Sequence, residues 1–65
     1  MKYKIEIWQY RSVSETYESN HIEDILAWYR LKWDYVYECG LYTFYVYEDC
    51  VEMTFDELYA LGFYD

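Results

Sequence analysis

Acidic and aromatic side chains are interleaved through the second half of the chain, and that half contains no base. Residues 33–65 carry eight acids and eleven aromatic rings without any Lys or Arg, whereas residues 1–32 balance five acids with five bases. A segment that stays disordered because of its charge is poor in aromatic residues. The second half must therefore fold, and it carries the whole net charge of −8.

The chain is short for the number of rings it contains. Its 65 residues fit one domain, spanning 1–65, near the lower size limit for independent folding. Eleven of the 17 aromatic residues are Tyr, too many for so small a domain to bury fully. Tyr suits a half-buried sheet face, and it is also enriched at protein interfaces. Both interpretations stay open, and a homodimer held by surplus Tyr side chains is one alternative.

Hydropathy and cysteine content favour a cytoplasmic protein. No apolar run approaches the ~18 residues of a membrane span, and the alternating residues 1–6 lack the apolar core of a signal peptide. Cys39 and Cys50 are too few and too far apart for a disulfide scaffold. We expect both to be reduced thiols, with a single disulfide between them as the alternative.

The first 18 residues predict a hairpin. Residues 2–10 alternate between two faces, which is typical of a strand with one face in a core. Tyr3, Ile5 and Ile7 point one way, and Lys2, Lys4, Glu6 and Trp8 the other. Residues 11–14 then predict a turn, and residues 15–18 a short second strand.

A long helix is expected next. Asn20 is a suitable N-cap, with Glu23 in the capping-box position, and Gly40 suits a left-handed helix end. The predicted helix runs from about 21 to 38. Its apolar stripe consists of Ile22, Ile25, Leu26, Tyr29, Trp33, Val36 and Tyr37. The β-prone residues 35–37 leave a strand over 34–38 as the alternative.

The remainder predicts a second hairpin and a short helix. Residues 41–48 are strongly β-prone, residues 48–50 form a turn, and residues 51–53 return as a short strand. Thr54 and Glu57 form a capping box, and Gly62 ends the helix.

The predicted fold is therefore α+β, with a small antiparallel sheet packed against one long helix, in the order ββαββα, and a short C-terminal helix. The predicted core contains Ile5, Ile7, Ile22, Ile25, Leu26, Tyr29, Trp33, Val36, Phe44 and Leu58.

Catalytic, metal and cofactor sites are not expected. His21 is the only histidine and lies beside a helix start, and both glycines are explained as helix ends, so no phosphate-binding loop is present. His21, Cys39 and Cys50 have no zinc-ligand spacing. The aromatic residues lie among carboxylates, whereas nucleic acid would require a positive field.

The one-sided negative charge instead predicts a basic protein partner. Carboxylates at alternate strand residues stand about 6.6–6.8 Å apart, comparable with neighbouring phosphates along a DNA strand. The sequence thus predicts a surface that imitates DNA. The alternative is that the acids only keep a Tyr-rich domain soluble.

Residues 44–47 (FYVY), a turn, and residues 54–59 (TFDELY) resemble the short phage-encoded uracil-DNA glycosylase inhibitors. The resemblance implies an inhibitor that occupies the DNA groove of the enzyme, with acids in place of phosphates. It also implies that Phe55 and Tyr59 line an apolar pocket for a leucine of the enzyme. The family's strand carries a functional Glu where this chain has Val46, and Glu48 is the nearest substitute.

The predicted partner-binding residues are Tyr45, Tyr47, Glu48, Asp49, Glu52, Phe55, Asp56 and Tyr59. The expected partner is a basic DNA-binding protein in the cytoplasm of a bacterial host, with no role for nucleic acid or membrane. Two alternatives remain: an inhibitor of another host defence nuclease, and a small structural or assembly protein of a phage.

Overall fold

The computed structural model describes residues 1–32 and 42–64. The described elements are strands β1 (Tyr3–Gln9) and β2 (Ser12–Ser19), helix α1 (Ile22–Leu31), strands β3 (Tyr42–Glu48) and β4 (Val51–Glu52), and helix α2 (Phe55–Leu61). The strands form one antiparallel sheet in the order β2-β1-β3-β4. The α+β class predicted from the sequence is confirmed.

The sheet is built on β1, which pairs with strands on both sides. Ile5 lies opposite Tyr17 of β2 and opposite Val46 of β3. Strand β2 is longer than predicted, because the chain reverses at residues 10–11 and not at 11–14. The register shifts between Ile7 and Trp8, so that Ser14 is an extra residue in β2. Such a bulge bends and twists the strand that contains it.

Alternation along the strands separates two faces of the sheet. Ile5, Ile7 and Val46 are fully buried, and they lie on the face that carries both helices. Ile5 and Val46 share a core cluster with buried residues of both helices and the segments beside α2: Ile25, Tyr29, Met53, Leu58 and Phe63. The predicted core residues Ile22, Leu26 and Phe44 are half-buried and pack against this cluster.

Helix α1 begins and ends at positions other than those predicted. The N-cap residue is His21, without a side-chain cap, and not Asn20. The Asn20 Oδ1 atom instead accepts a hydrogen bond from the backbone N–H of Lys2, at 3.1 Å. Buried Ser19 organises the helix start, because its Oγ donates to Asp24 at 2.7 Å and accepts from the His21 N–H at 3.1 Å.

The single helix predicted over 21–38 is wrong, because α1 ends at Leu31 with Lys32 as its C-cap. The Lys32 N–H bonds to the carbonyl oxygen of Tyr29, which tightens the last turn. Predictions for Trp33, Val36, Cys39 and Gly40, and the choice between helix and strand at 34–38, lie outside the described residues.

Helix α2 has the predicted ends. Thr54 Oγ1 accepts from the Glu57 N–H at 3.2 Å, and the Thr54 N–H donates to Glu57 Oε1 at 2.9 Å, which completes the capping box. Gly62 has φ 97°, a left-handed conformation that glycine adopts without steric cost. The Phe63 N–H bonds back to the carbonyl oxygen of Leu58 at 3.0 Å, and this bond directs Phe63 into the core.

Candidate interaction surfaces on the second hairpin and the C-terminal helix

Carboxylates from the β3–β4 hairpin and from α2 surround one groove. This acidic groove has a volume of about 310 Å³ and is lined by Glu48, Asp49, Val51, Glu52, Met53 and Glu57. Glu48 forms an ion pair with Lys2 at 3.8 Å, and Glu57 serves the capping box. Asp49 and Glu52 are exposed. The structure thus brings together three of the predicted acids, Glu48, Asp49 and Glu52.

Exposed rings lie on the outer side of α2. Phe55 and Tyr59 are each 61% exposed, although Leu58 between them is buried. Their ring centroids are 6.1 Å apart, and the Tyr64 ring lies 4.7 Å from that of Phe55. We call Phe55, Tyr59 and Tyr64 the aromatic ridge. Exposed, neighbouring rings of this kind are typical of a binding surface.

The aromatic ridge is anchored to the core through Tyr64. The Tyr64 ring lies 5.7 Å from the Phe44 ring, and the Phe44 ring lies 4.6 Å from that of buried Tyr29. Burial raises the pKa of Tyr64 above its ordinary value. Tyr64 is not among the predicted binding residues. The sequence signal for it is Gly62, because a left-handed helix end turns the following residues back along the helix.

Tyr45 and Tyr47 lie on the sheet face opposite the helices. The Trp8 and Tyr45 rings meet edge to face at 6.2 Å. Glu6 accepts a hydrogen bond from Trp8 Nε1 at 3.1 Å and forms an ion pair with Lys4 at 3.2 Å. The predicted binding residues therefore fall on two faces of the molecule, with Tyr45 and Tyr47 on one and Phe55 and Tyr59 on the other.

The pKa values on this open sheet face follow from the contacts of Glu6. Burial alone would raise the pKa of Glu6, but hydrogen bonds from Trp8, Lys4 and Tyr47, and the charge of Lys4, outweigh burial and lower it. Burial and the neighbouring Glu6 carboxylate raise the pKa of Tyr47. Tyr47 thus stays a neutral hydrogen-bond donor to an ionised carboxylate, which is a structural role.

A second cavity, of about 350 Å³, lies beside this cluster and is lined by Met1, Lys2, Lys4, Glu6, Glu18, Tyr47 and Cys50. Its two lysines are already paired with Glu48 and Glu6. Within residues 1–32 and 42–64, no group of three His, Cys, Asp or Glu side chains could hold a metal ion. Cys50 is a free, exposed thiol.

No protein-family model, curated protein or solved structure matches this chain. The resemblance to uracil-DNA glycosylase inhibitors therefore stays a prediction that depends on residues 44–59. Phe55 and Tyr59 line neither of the two cavities described above; their rings stand on the surface of α2. Neither helix that the structure describes has the length and apolar character needed to cross a lipid bilayer.

Proposed function

We propose that this chain is a binding protein, not an enzyme, and that it inhibits a basic DNA-processing protein by occupying its DNA groove. Uracil-DNA glycosylase is the first target to test, because residues 44–59 resemble its phage-encoded inhibitors. On this proposal the protein acts in the cytoplasm of a bacterial host.

The acidic groove is the observation that supports the proposal. Its four carboxylates come from one short hairpin and the first turn of α2, and no Lys or Arg occurs anywhere in residues 33–65. Carboxylates concentrated in this way create a local negative field that steers a basic partner toward the surface. The aromatic ridge begins at Phe55, three residues after Glu52, so the charged and apolar parts of an interface are adjacent in the chain.

The test compares two double variants with the same change in charge. Asp49→Asn with Glu52→Gln removes two carboxylates from the acidic groove. Glu18→Gln with Glu23→Gln removes two exposed carboxylates from β2 and α1. Association with uracil-DNA glycosylase at low salt should slow roughly threefold to tenfold in the groove variant, with a flatter salt dependence. The control variant should associate nearly as fast as the wild type.

Inhibition itself is measured as cleavage of uracil from duplex DNA with the chain in micromolar excess. Full activity of the glycosylase in low salt would show that this target is wrong. Equal slowing of both double variants would show that net charge acts without a defined site.

Self-association is the second candidate function, because two rings of the aromatic ridge are more than half exposed to solvent. In that case the chain is an assembly protein and its acids only maintain solubility. Sedimentation at micromolar concentration distinguishes the two candidates: an inhibitor sediments as a monomer alone and as a complex with its target. An assembly protein forms dimers, and substitution of Phe55 by Ala dissociates them.

A further inference from the structure

The aromatic ridge presents exposed ring surfaces: Phe55 and Tyr59 are each 61% exposed and line neither of the two cavities described above. Phe55 and Tyr59 are one helical turn apart, and Tyr64 contacts Phe55 from the segment after Gly62. A ring that projects in this way offers its face and the negative potential above it. An aliphatic anchor gains most from an enclosing cavity, so an exposed ridge suits a different kind of ligand.

Negative charge adjoins the aromatic ridge. Asp56 is exposed and lies three residues before Tyr59 on α2, a spacing that makes two helical side chains neighbours. Because residues 33–65 contain no base, a cation for these rings must come from the first half of the chain or from a partner. Arg30 of α1 is engaged at the C-terminal end of α2, where its Nη2 donates to the carbonyl oxygen of Gly62 at 3.5 Å.

Two aromatic rings in the first half of the chain have a lysine ammonium group over the ring face. Lys32 Nζ lies 5.4 Å from the centre of the Trp28 ring, and Lys2 Nζ lies 5.3 Å from that of Tyr3. Both distances fall within the ~6 Å at which a cation is attracted to a ring face.

We propose that the aromatic ridge binds an arginine side chain on a segment of the partner protein. The guanidinium group stacks on the rings of Phe55 and Tyr59, and its N–H groups donate to the Asp56 carboxylate. Arginine fits better than lysine because its planar group stacks on rings and donates in a fork at the same time. The inference rests on the proposed function only in requiring a basic protein partner, and it replaces the leucine anchor implied by the resemblance.

The test uses three acetylated, amidated peptides, Gly-X-Gly-X-Gly, in which X is Arg, Lys or Leu. Each is titrated into the full chain while the backbone amide resonances are followed by NMR. The Arg peptide should shift residues 55–59 and bind about two- to fivefold more tightly than the Lys peptide. The Leu peptide should give no saturable shifts. Equal binding of the Leu and Arg peptides at these residues would overturn the inference, as would shifts from the Arg peptide confined to Asp49 and Glu52.

Substitutions of Tyr59 distinguish the contribution of its aromatic ring from that of its apolar surface area. Tyr59→Leu keeps an apolar side chain but removes the ring, and should weaken binding of the Arg peptide about two- to fivefold. Tyr59→Phe keeps the ring and should bind like the wild type. Tyr10→Leu should also bind like the wild type, because the exposed Tyr10 ring lies in the β1–β2 turn and outside the aromatic ridge. If Tyr59→Leu binds the Arg peptide as well as the wild type, the ring is not the binding group.

Docking of the Arg peptide and inhibition of the glycosylase are measured separately, and together they distinguish this inference from the proposed function. Docking of the Arg peptide without inhibition of uracil-DNA glycosylase would leave the inference standing and remove the proposed target. Inhibition by the wild type without docking of the Arg peptide would remove the inference alone.

Discussion

At the scale of single residues, Tyr29 joins the two helices to the sheet. It is 3% exposed, and its ring lies 4.6 Å from that of Phe44 and 5.4 Å from that of Phe63. Burial, together with the charge of a nearby ionised Tyr64, raises the pKa of Tyr29 to about 12. The Tyr29 phenol therefore lies in an environment that disfavours its ionised form.

This pKa predicts a loss of stability at alkaline pH. Below pH 10 the Tyr29 phenol is protonated in both the folded and the unfolded chain, so its contribution is fully present. Between pH 10 and about 12 the unfolded chain loses a proton that the folded chain keeps, and the free energy of unfolding falls by up to about 1.4 kcal/mol per pH unit. Urea midpoints measured from pH 8 to 11 should decline less steeply in Tyr29→Phe. Parallel declines would contradict this assignment.

At the scale of elements, the β3–β4 turn has a backbone conformation that its residues do not favour. Asp49 has φ 50° and Cys50 has φ 67°, the pattern of a two-residue turn in which Gly is preferred at the second position. A left-handed non-glycine residue costs roughly 1–2 kcal/mol. The turn of the hairpin that lines the acidic groove therefore costs stability, whereas β3 of the same hairpin is paired along its length with β1.

Glycine at position 50 should stabilise the protein. Cys50→Gly removes the steric cost of Cβ but adds freedom to the unfolded chain, so we expect a net gain of about 0.5–1 kcal/mol in the free energy of unfolding. Urea denaturation under reducing conditions provides the measurement. Cys50→Ser, which keeps Cβ and removes the thiol, is the control and should leave the stability unchanged. A gain in the serine variant equal to that in the glycine variant would trace the effect to the thiol.

Sequence patterns predicted the ends of an element correctly where the residues that hydrogen-bond there are close in sequence. The capping box of Thr54 and Glu57 and the end at Gly62 involve residues within one helix, and both were predicted. The start of α1 was not, because Asn20 is engaged by the backbone of Lys2, 18 residues away. Hydrogen bonds between distant residues leave no periodic signal in a sequence.

The candidate site shows the same limit. Strand alternation was enough to place Tyr45 and Tyr47 together, and helix periodicity to place Phe55 and Tyr59 together. The two pairs occupy opposite sides of the sheet because α2 covers only one of its faces. Which face α2 covers depends on the packing of Leu58 and Phe63 against residues far away in the chain.

At the scale of the whole molecule, the net charge of −8 works against compactness. The described ion pairs, Lys2–Glu48, Lys4–Glu6 and Lys32–Glu15, engage three of the five basic residues. Like charges that remain near one another, such as those lining the acidic groove, repel in the folded state more than in the expanded chain. The same surface that would bind a basic partner therefore lowers the stability of the free protein.

Salt should consequently stabilise the free protein. Raising NaCl from 10 to 200 mM shortens the screening length from about 30 Å to below 10 Å, so the urea midpoint should rise. The Asp49→Asn, Glu52→Gln variant should show a smaller rise, because it begins with less repulsion. A midpoint that falls with added NaCl would mean that the three ion pairs outweigh the repulsion.

The central position of β1 has a consequence for how the chain folds during synthesis. β1 is made before β3, and its hairpin with β2 closes locally. Its other side, where Tyr3 pairs with Glu48, stays unpaired until β3 has been made. Pairing between residues so distant in sequence slows folding, since the entropy of closing the loop is lost before the contacts form. Until β3 leaves the ribosome, one side of Ile5 and Ile7 has no strand beside it, and the nascent chain exposes an edge that other chains could join.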